Sequence, residues 1–309
     1  MRKLTIYITI TLTALLSEVA LGQHHAMYSQ DMFNGLVLNP AYAGYHDAIS
    51  VTALSRRQWA GIEGAPTTNT LTVHSPLSNG KVGLGMALIN DQIGVTSTNG
   101  AHAIYAFRLK SERYENSYTN FGIKTRYLSF GLQAGVVSIK EKLTELGIDN
   151  DPNFAEDINS TQFNFGAGVF YSTERFYVGL SAPQLFQQKT VNSNPDRFTN
   201  NYFFTTGYLV SLNPYVTFKP STLIKYIDGS AMEVDVNANI YFKEIVELGV
   251  GYRTTGAVTA MASFNINHKL RFGYAYDLEG VNHQLAGSHE FMINYKFSVN
   301  KKKICFTYF

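Results

Sequence analysis

Ala231-Met232-Glu233-Val234-Asp235-Val236-Asn237-Ala238-Asn239-Ile240-Tyr241-Phe242 alternates apolar and polar side chains almost without a break. Val234, Val236, Ala238, Ile240 and Phe242 fall on one side, and Glu233, Asp235, Asn237 and Asn239 on the other. Successive side chains of a strand point to opposite faces, so this stretch is read as a strand with one greasy and one polar face. The pattern recurs downstream. Val246, Leu248, Val250 and Tyr252 oppose Glu247, Gly249, Gly251 and Arg253, and Val258, Ala260, Ala262, Phe264 and Ile266 oppose Thr259, Ser263 and Asn265. Leu270, Phe272, Tyr274 and Tyr276 then oppose Arg271, Gly273 and Asp277. A soluble sandwich would alternate as well, with its apolar side inward. Two features point instead to a membrane barrel. The strands run about 9–11 residues, the length that crosses a bilayer at a tilt. Aromatics also gather near strand ends (Phe272, Tyr274, Tyr276, Tyr295, Phe297), as in interfacial girdles. Lipid cannot satisfy an open sheet edge, so the sheet is expected to close on itself.

Working outward from this stretch gives fourteen strands, at 48–58, 67–77, 80–91, 100–109, 126–139, 162–172, 175–182, 201–211, 214–226, 231–243, 245–254, 256–266, 269–277 and 288–298. The fold class is therefore all-β, a transmembrane antiparallel barrel, and an even count suits a bacterial barrel with both ends in the periplasm. If the first strand runs outward, turns after even strands are periplasmic and short. Leu77 to Gly80, Thr173-Glu174, Leu212 to Pro214, Lys243-Glu244 and Asn267-His268 obey this, while the longer stretches near 140–161, 183–200 and 278–287 fall outside. Segment 110–125 breaks the rule, being long where a tight turn is expected, which raises a misplaced strand pair there.

The N-terminus reads as a secretory signal: Arg2 and Lys3, an apolar run from Leu4 to Leu16, then Ala20-Leu21-Gly22 as a small-residue cleavage site. The domain reading is a cleaved signal at 1–22, a leader at 23–47, the barrel at 48–298 and a tail at 299–309 with the basic Lys301 to Lys303. Later segments lack the ~18 consecutive apolar residues of a membrane helix. The single cysteine, Cys305, excludes an internal disulfide and does not follow the signal as a lipid anchor would. Charged residues are 16% of the chain and the net charge is +2, which gives no electrostatic case for nucleic acid. No catalytic constellation, cofactor motif or metal cluster is read. His24 and His25 are taken as exposed residues of the new terminus, and Gly83 and Gly85 as positions of close backbone packing.

Two segments lack strand alternation yet look specified. Met27 to Gly44 is too apolar for a loose tail; Met32, Leu36 and Val37 permit a short helix that Asn39-Pro40 ends, because a residue before proline avoids the helical region. It is read as a plug tucked into the periplasmic mouth. Arg56 to Thr68 forms the first outer loop and holds the sole tryptophan, Trp59, so Arg57, Gln58 and Trp59 become candidates for recognising a partner, against a girdle role for the indole.

These segments carry a resemblance. Tyr28-Ser29-Gln30 with Met32-Phe33-Asn34, then Asn39-Pro40-Ala41-Tyr42-Ala43-Gly44, then Arg57-Gln58-Trp59 with Gly64-Ala65-Pro66, and Ser288-His289-Glu290 opening the last strand, resemble the PorP/SprF family of outer-membrane proteins of the type IX secretion system of Bacteroidota. Asp31 stands where a tyrosine is expected, and the chain continues past the usual last strand through Ser298 to Phe309. The resemblance implies a non-enzymatic role in exporting or retaining a large surface protein, such as a gliding adhesin, through its C-terminal domain. It also implies contact with other secretion components and with a periplasmic peptidoglycan-associated protein. The motif residues it carries over are Tyr28, Gln30, Met32, Asn34, Asn39, Pro40, Gly44, Arg57, Gln58 and Trp59.

Inside a closed barrel recognition must use loops and inward side chains. Glu233, Asp235, Glu247, Arg253, Arg271 and Asp277 are the inward candidates, their mixed signs suiting a protein partner better than bulk ion conduction. The alternative is an outer-membrane transporter or channel for hydrophobic compounds or nutrients, which requires a continuous apolar pocket. A membrane-embedded hydrolase needs a serine–histidine pair on the lipid face, which the phasing does not supply.

Overall fold

The computed structural model describes residues 27–46, 48–77, 80–117, 120–148, 151, 154–188, 200–279 and 287–297, with the side chains of 113–124, 186–188 and 279 left aside. The proposed signal peptide at 1–22 and the tail at 299–309 lie outside the described residues.

Alternation produces the strands where it was expected. They are β1 (Ile49–Arg57), β2 (Thr67–Leu77), β3 (Val82–Ile93), β4 (Thr96–Ser117), β5 (Asn120–Glu141), β6 (Ile158–Ser172), β7 (Phe176–Gln188), β8 (Asn201–Tyr208), β9 (Val210–Asn213), β10 (Val216–Ile227), β11 (Glu233–Phe242), β12 (Val246–Arg253), β13 (Ala257–Asn265), β14 (Leu270–Glu279) and β15 (Ser288–Phe297). All neighbours pair antiparallel, and β15 returns to β1 with Ile49 opposite Phe297 and Arg57 opposite His289. The sheet is thus a closed barrel of fourteen staves, because β9 continues β8 past Leu209 along the same edge of β10. Closure leaves no unpaired edge to face hydrocarbon.

The outward faces are apolar: Leu132 is 62% exposed and Val250 61%, values that would be a liability in water and form the lipid contact here. Turns 173–175, 214–215, 243–245 and 266–269 are tight and share one end, assigned to the periplasm, while the turn expected at Leu77 to Gly80 lies partly outside the described residues. Segment 110–125 is a finding rather than a misplaced pair. β4 and β5 stay in register to Ser117 opposite Asn120, whereas β3 stops at Val82 opposite Phe107 and β6 at Ser172 opposite Tyr127. The nine residues 109–117 therefore stand clear of neighbouring staves as a two-stranded ribbon about 30 Å long. Its charged Lys110, Glu112, Arg113 and Glu115 hid it from the sequence reading, since a ribbon in water has no greasy face to alternate.

Replacing Val250 with Arg on the lipid face of β12 is expected to cost about 2–4 kcal/mol near the bilayer midplane. Denaturant unfolding from lipid vesicles, compared with Val250→Ala, measures it.

Candidate functional site

The leader turns three times in quick succession. A 3-10 turn at Asp31–Phe33 leads into α1 (Gly35–Leu38), and a second 3-10 turn spans Pro40–Tyr42. Asn39 is extended (φ −142°, ψ 115°), as a residue before proline must be, and its Oδ1 accepts from Ala41 N at 2.9 Å to cap the last turn. Apolar Leu36, Leu38, Ala41, Tyr42 and Ala43 are all buried, and so are the polar Ser29, Gln30, Asp31, Asn34 and Asn39. Ser29, Gln30 and Asn39 find their partners on the staves.

The contacts divide the lumen into two halves. On the charged half, Glu290 of β15 grips the leader by its backbone: its carboxylate oxygens accept from Ser29 N at 2.8 Å and Gln30 N at 2.7 Å. Gln30 Nε2 donates back to the Glu290 carbonyl at 3.3 Å. Ser29 Oγ donates to Asp277 at 2.6 Å, and Arg56, in cross-strand register with Glu290, bridges Ser29, Asp277 at 2.6 Å and Glu290 at 3.5 Å. Arg253 holds Asp235 at 2.9 Å and Glu233 at 3.4 Å, and donates to the Tyr28 carbonyl at 3.4 Å. Lys225 pairs with both Glu233 and Asp235. Tyr28 shares a hydrogen bond with Thr70 at 3.1 Å. Further toward the periplasm, Lys219 pairs with Glu247 at 2.5 Å, and Asn239 donates to Glu247 at 2.8 Å and to the Met32 sulfur at 3.3 Å. The Phe33 ring lies beneath the cations of Lys219 and Arg271, each 4.9 Å from its centroid. Ions buried this deeply persist only when paired and hydrogen-bonded.

The other half is apolar, although the alternation promised a polar interior. Leu36, Ala41, Tyr42 and Ala43 pack against Ala87, Ile104, Phe170, Tyr177 and Leu209. Tyr42 stacks on Tyr45 at 4.9 Å and meets Phe170 and His74 edge-on. Backbone passes so close to the wall here that no side chain fits between. A Cβ on Gly83 would lie 2.0 Å from the Ala43 oxygen, and one on Gly131 2.0 Å from the Ala41 nitrogen. Asn39 Nδ2 donates to the Val169 carbonyl at 3.0 Å, and Ser181 Oγ to the Leu38 carbonyl at 2.7 Å. Gly44 takes a left-handed turn (φ 75°) with its N–H on His74 Nδ1 at 3.2 Å and its carbonyl on Arg108. Asn34 is buried with neither amide atom hydrogen-bonded among the described residues.

The structure thus brings Tyr28, Gln30, Met32, Asn39, Pro40 and Gly44 against the wall, and the six inward candidates against one another and the leader. They hold an internal segment instead of lining open space. The second motif splits. Arg57 ends β1 and points outward, exposed, while Gln58 is buried and its N–H meets the Pro66 carbonyl at 2.9 Å. Trp59 is in the left-handed region (φ 46°), its N–H on Ser288 Oγ at 3.2 Å, and the Gly64 carbonyl accepts from Gly94 N at 2.8 Å. Arg56, Lys219, Lys225 and Glu290 were missed as site residues, yet each sits on the inward phase of its strand, the signal used for Glu233 and Asp235.

A family model described as "Type IX secretion system membrane protein PorP/SprF" matches residues 20–295. No curated protein matches the sequence significantly. Among solved structures, the chain is similar to the Acinetobacter baumannii outer membrane protein Omp33, at 9% identity over 82% of this chain and 100% of that one, with a TM-score of 0.45. It is similar to the KdgM porin at 11% identity over 80% and 99% of the two chains, with a TM-score of 0.39. A mutant of the Rh. blastica porin gives 8%, 81%, 98% and 0.34 for the same quantities.

Gly131→Val is expected to expel residues 39–44 from the wall while the barrel stays closed. A spin label on Met27→Cys in a Cys305→Ser chain would gain mobility, with heat-modifiable gel migration unchanged. The leader should also respond to pH. Burial, and Asp235 nearby, raise the Asp31 carboxyl to about 7 against the pull of Lys225 and Arg253. In water the same group titrates near ~4. Seating therefore favours the protonated form, is fullest below about pH 4 and weakens as pH rises through about 7. The same spin label reads this between pH 4 and 8, and Asp31→Asn should flatten the response.

Proposed function

The chain belongs to the PorP/SprF family of type IX secretion system membrane proteins, and from that premise we propose that it is a docking barrel for a large secreted surface protein. Family and fold are those of an outer-membrane secretion barrel and not of an enzyme. In this reading the barrel binds an adhesin through its C-terminal domain and supports its export or retention at the surface, and the leader is a built-in plug. The observation that carries it is the leader held to the inner wall by Glu290 and Arg253. A cavity left between leader and wall, lined by Asp31, Met32, Leu38, Tyr42, Phe170 and Tyr177, measures about 30 Å³, roughly the room of one water. A leader packed this closely against the inner wall supports a platform over a conduit.

The two ends then take different partners. Outside, loop 58–66 is folded back on β15 through Ala60 N to the Gly287 carbonyl at 3.0 Å and holds Trp59 in a backbone conformation that costs about 1–3 kcal/mol, the kind of strain found at binding sites. Arg57 and Trp59 are residue types that dominate protein interfaces. Glu233, Asp235, Glu247, Arg253, Arg271 and Asp277 would meet cargo only if the leader withdrew. On the periplasmic side, the β4–β5 ribbon offers backbone donors and acceptors on both edges, a handle for other secretion components or a peptidoglycan-associated protein by strand addition.

Deleting the gene is expected to abolish surface display of the adhesin, tracked by surface immunolabelling, and restoring Trp59→Ala should rescue it only in part. Unchanged display in the deletion strain would sink the reading. Sugar uptake into liposomes carrying the purified barrel should match protein-free liposomes.

A further inference from the structure

One stretch of the lipid-facing wall is neither apolar nor charged. Ser55, Asn69, Asn90, Asn99 and Ser138 lie directly opposite one another across β1 to β5, all on the outward phase. The first four form a hydrogen-bonded ladder: Ser55 Oγ donates to Asn69 Oδ1 at 2.8 Å, Asn69 Nδ2 to Asn90 Oδ1 at 3.5 Å, and Asn90 Nδ2 to Asn99 Oδ1 at 2.8 Å. Asn99 Nδ2 continues to Ser97 Oγ at 3.3 Å. Each amide N–H₂ has a second hydrogen beyond its ladder bond. On the periplasmic side of the ladder the wall opens into a groove of about 730 Å³, floored by the small Ala53 and Ala101 and walled by Leu71, Leu88, Val136 and Phe291. On the outer side, the next row in register carries Arg57 beside His289 and, four staves on, Lys140, both cations exposed. No acid occupies the outward positions of these three rows from β1 to β5.

Apolar groove, uncharged hydrogen-bonding row and unopposed cations are stacked from the membrane toward the outside. We propose that this face is a binding site for a phosphorylated glycolipid of the outer leaflet. Its acyl chains lie in the groove, its sugar hydroxyls and amide carbonyls meet the ladder, and its phosphates meet Arg57 and Lys140. Charge complementarity selects the occupant. A protein wall of mixed charge has no use for cations without acids, and a simple phospholipid has too few hydroxyls and carbonyls to occupy five hydrogen-bonding side chains. The inference concerns the lipid-facing outside of the barrel; it shares Arg57 with the cargo reading, and lipid retention reads it separately from adhesin display.

The test uses the full mature barrel in phosphatidylcholine nanodiscs, with native mass spectrometry counting retained adducts of added lipid A, dephosphorylated lipid A or phosphatidylglycerol. Lipid A is expected to be retained as a discrete adduct over the other two. Arg57→Ala with Lys140→Ala should lower retention about tenfold, the loss of a charge-assisted contact. Ala53→Leu with Ala101→Leu should lower it as well by filling the groove, while leaving the cations in place. Heat-modifiable migration checks that each variant is folded, and only folded variants are compared. Equal retention of phosphatidylglycerol, no retention of lipid A, or wild-type retention by the folded double-alanine variant would each overturn the proposal. So would a protein, in place of lipid, captured by a photo-cross-linker at Asn99.

Discussion

Hydrocarbon offers no hydrogen-bond partner, and that constraint shapes every level of this molecule. It forces the sheet to close, β15 onto β1, and closure creates an interior that the wall alone does not fill. Here the chain's own leader packs against the inner wall. Glu290 secures it through the backbone N–H groups of Ser29 and Gln30, and the side chains of both residues add bonds to Asp277 and to the Glu290 carbonyl. Arg56 then pairs with both Glu290 and Asp277, Arg253 approaches Asp277 at 4.0 Å, and these charges form one buried unit with the leader.

The lumen is asymmetric for a physical reason. Where the leader carries exposed backbone and a serine, the wall answers with paired ions; where it carries Leu36, Ala41 and Tyr42, the wall answers with Ile104, Phe170 and Tyr177. Gly83 and Gly131 add the clearance that a rigid sheet cannot provide by moving. Inside this barrel Arg56, Lys219, Lys225 and Arg253 are each paired with an acid of the wall. The same logic gives the barrel two unlike ends. The β4–β5 ribbon extends past its neighbouring staves at one end, while at the other the loop at Trp59 is folded back and held in a strained turn.

The architecture was legible in the sequence. Alternation with period two is local, and Val234 to Phe242 announces its two faces without reference to any other residue. The inward phase of Glu233, Asp235, Glu247, Arg253, Arg271 and Asp277 followed from it, as did the tight turns of one end. The motif residues of the leader were also visible, and Asn39-Pro40 ends α1 where the proline rule places it. The β4–β5 ribbon was not legible, because a strand pair wetted on both sides carries no hydrophobic signal. Nor was the apolar half of the lumen: Ile104, Phe170 and Tyr177 sit on the inward phase, where a polar residue was expected.

The sequence by itself determined the strand count, the phase of each strand and hence which side chains face lipid, because those follow from the geometry of neighbouring residues. Only the tertiary structure decided what the inward residues touch. Ser29 and Glu290 are 261 positions apart, and Asn39 and Leu180 are 141 apart. Such contacts depend on how the closed sheet curves and where the leader runs within it, and no short-range pattern encodes either.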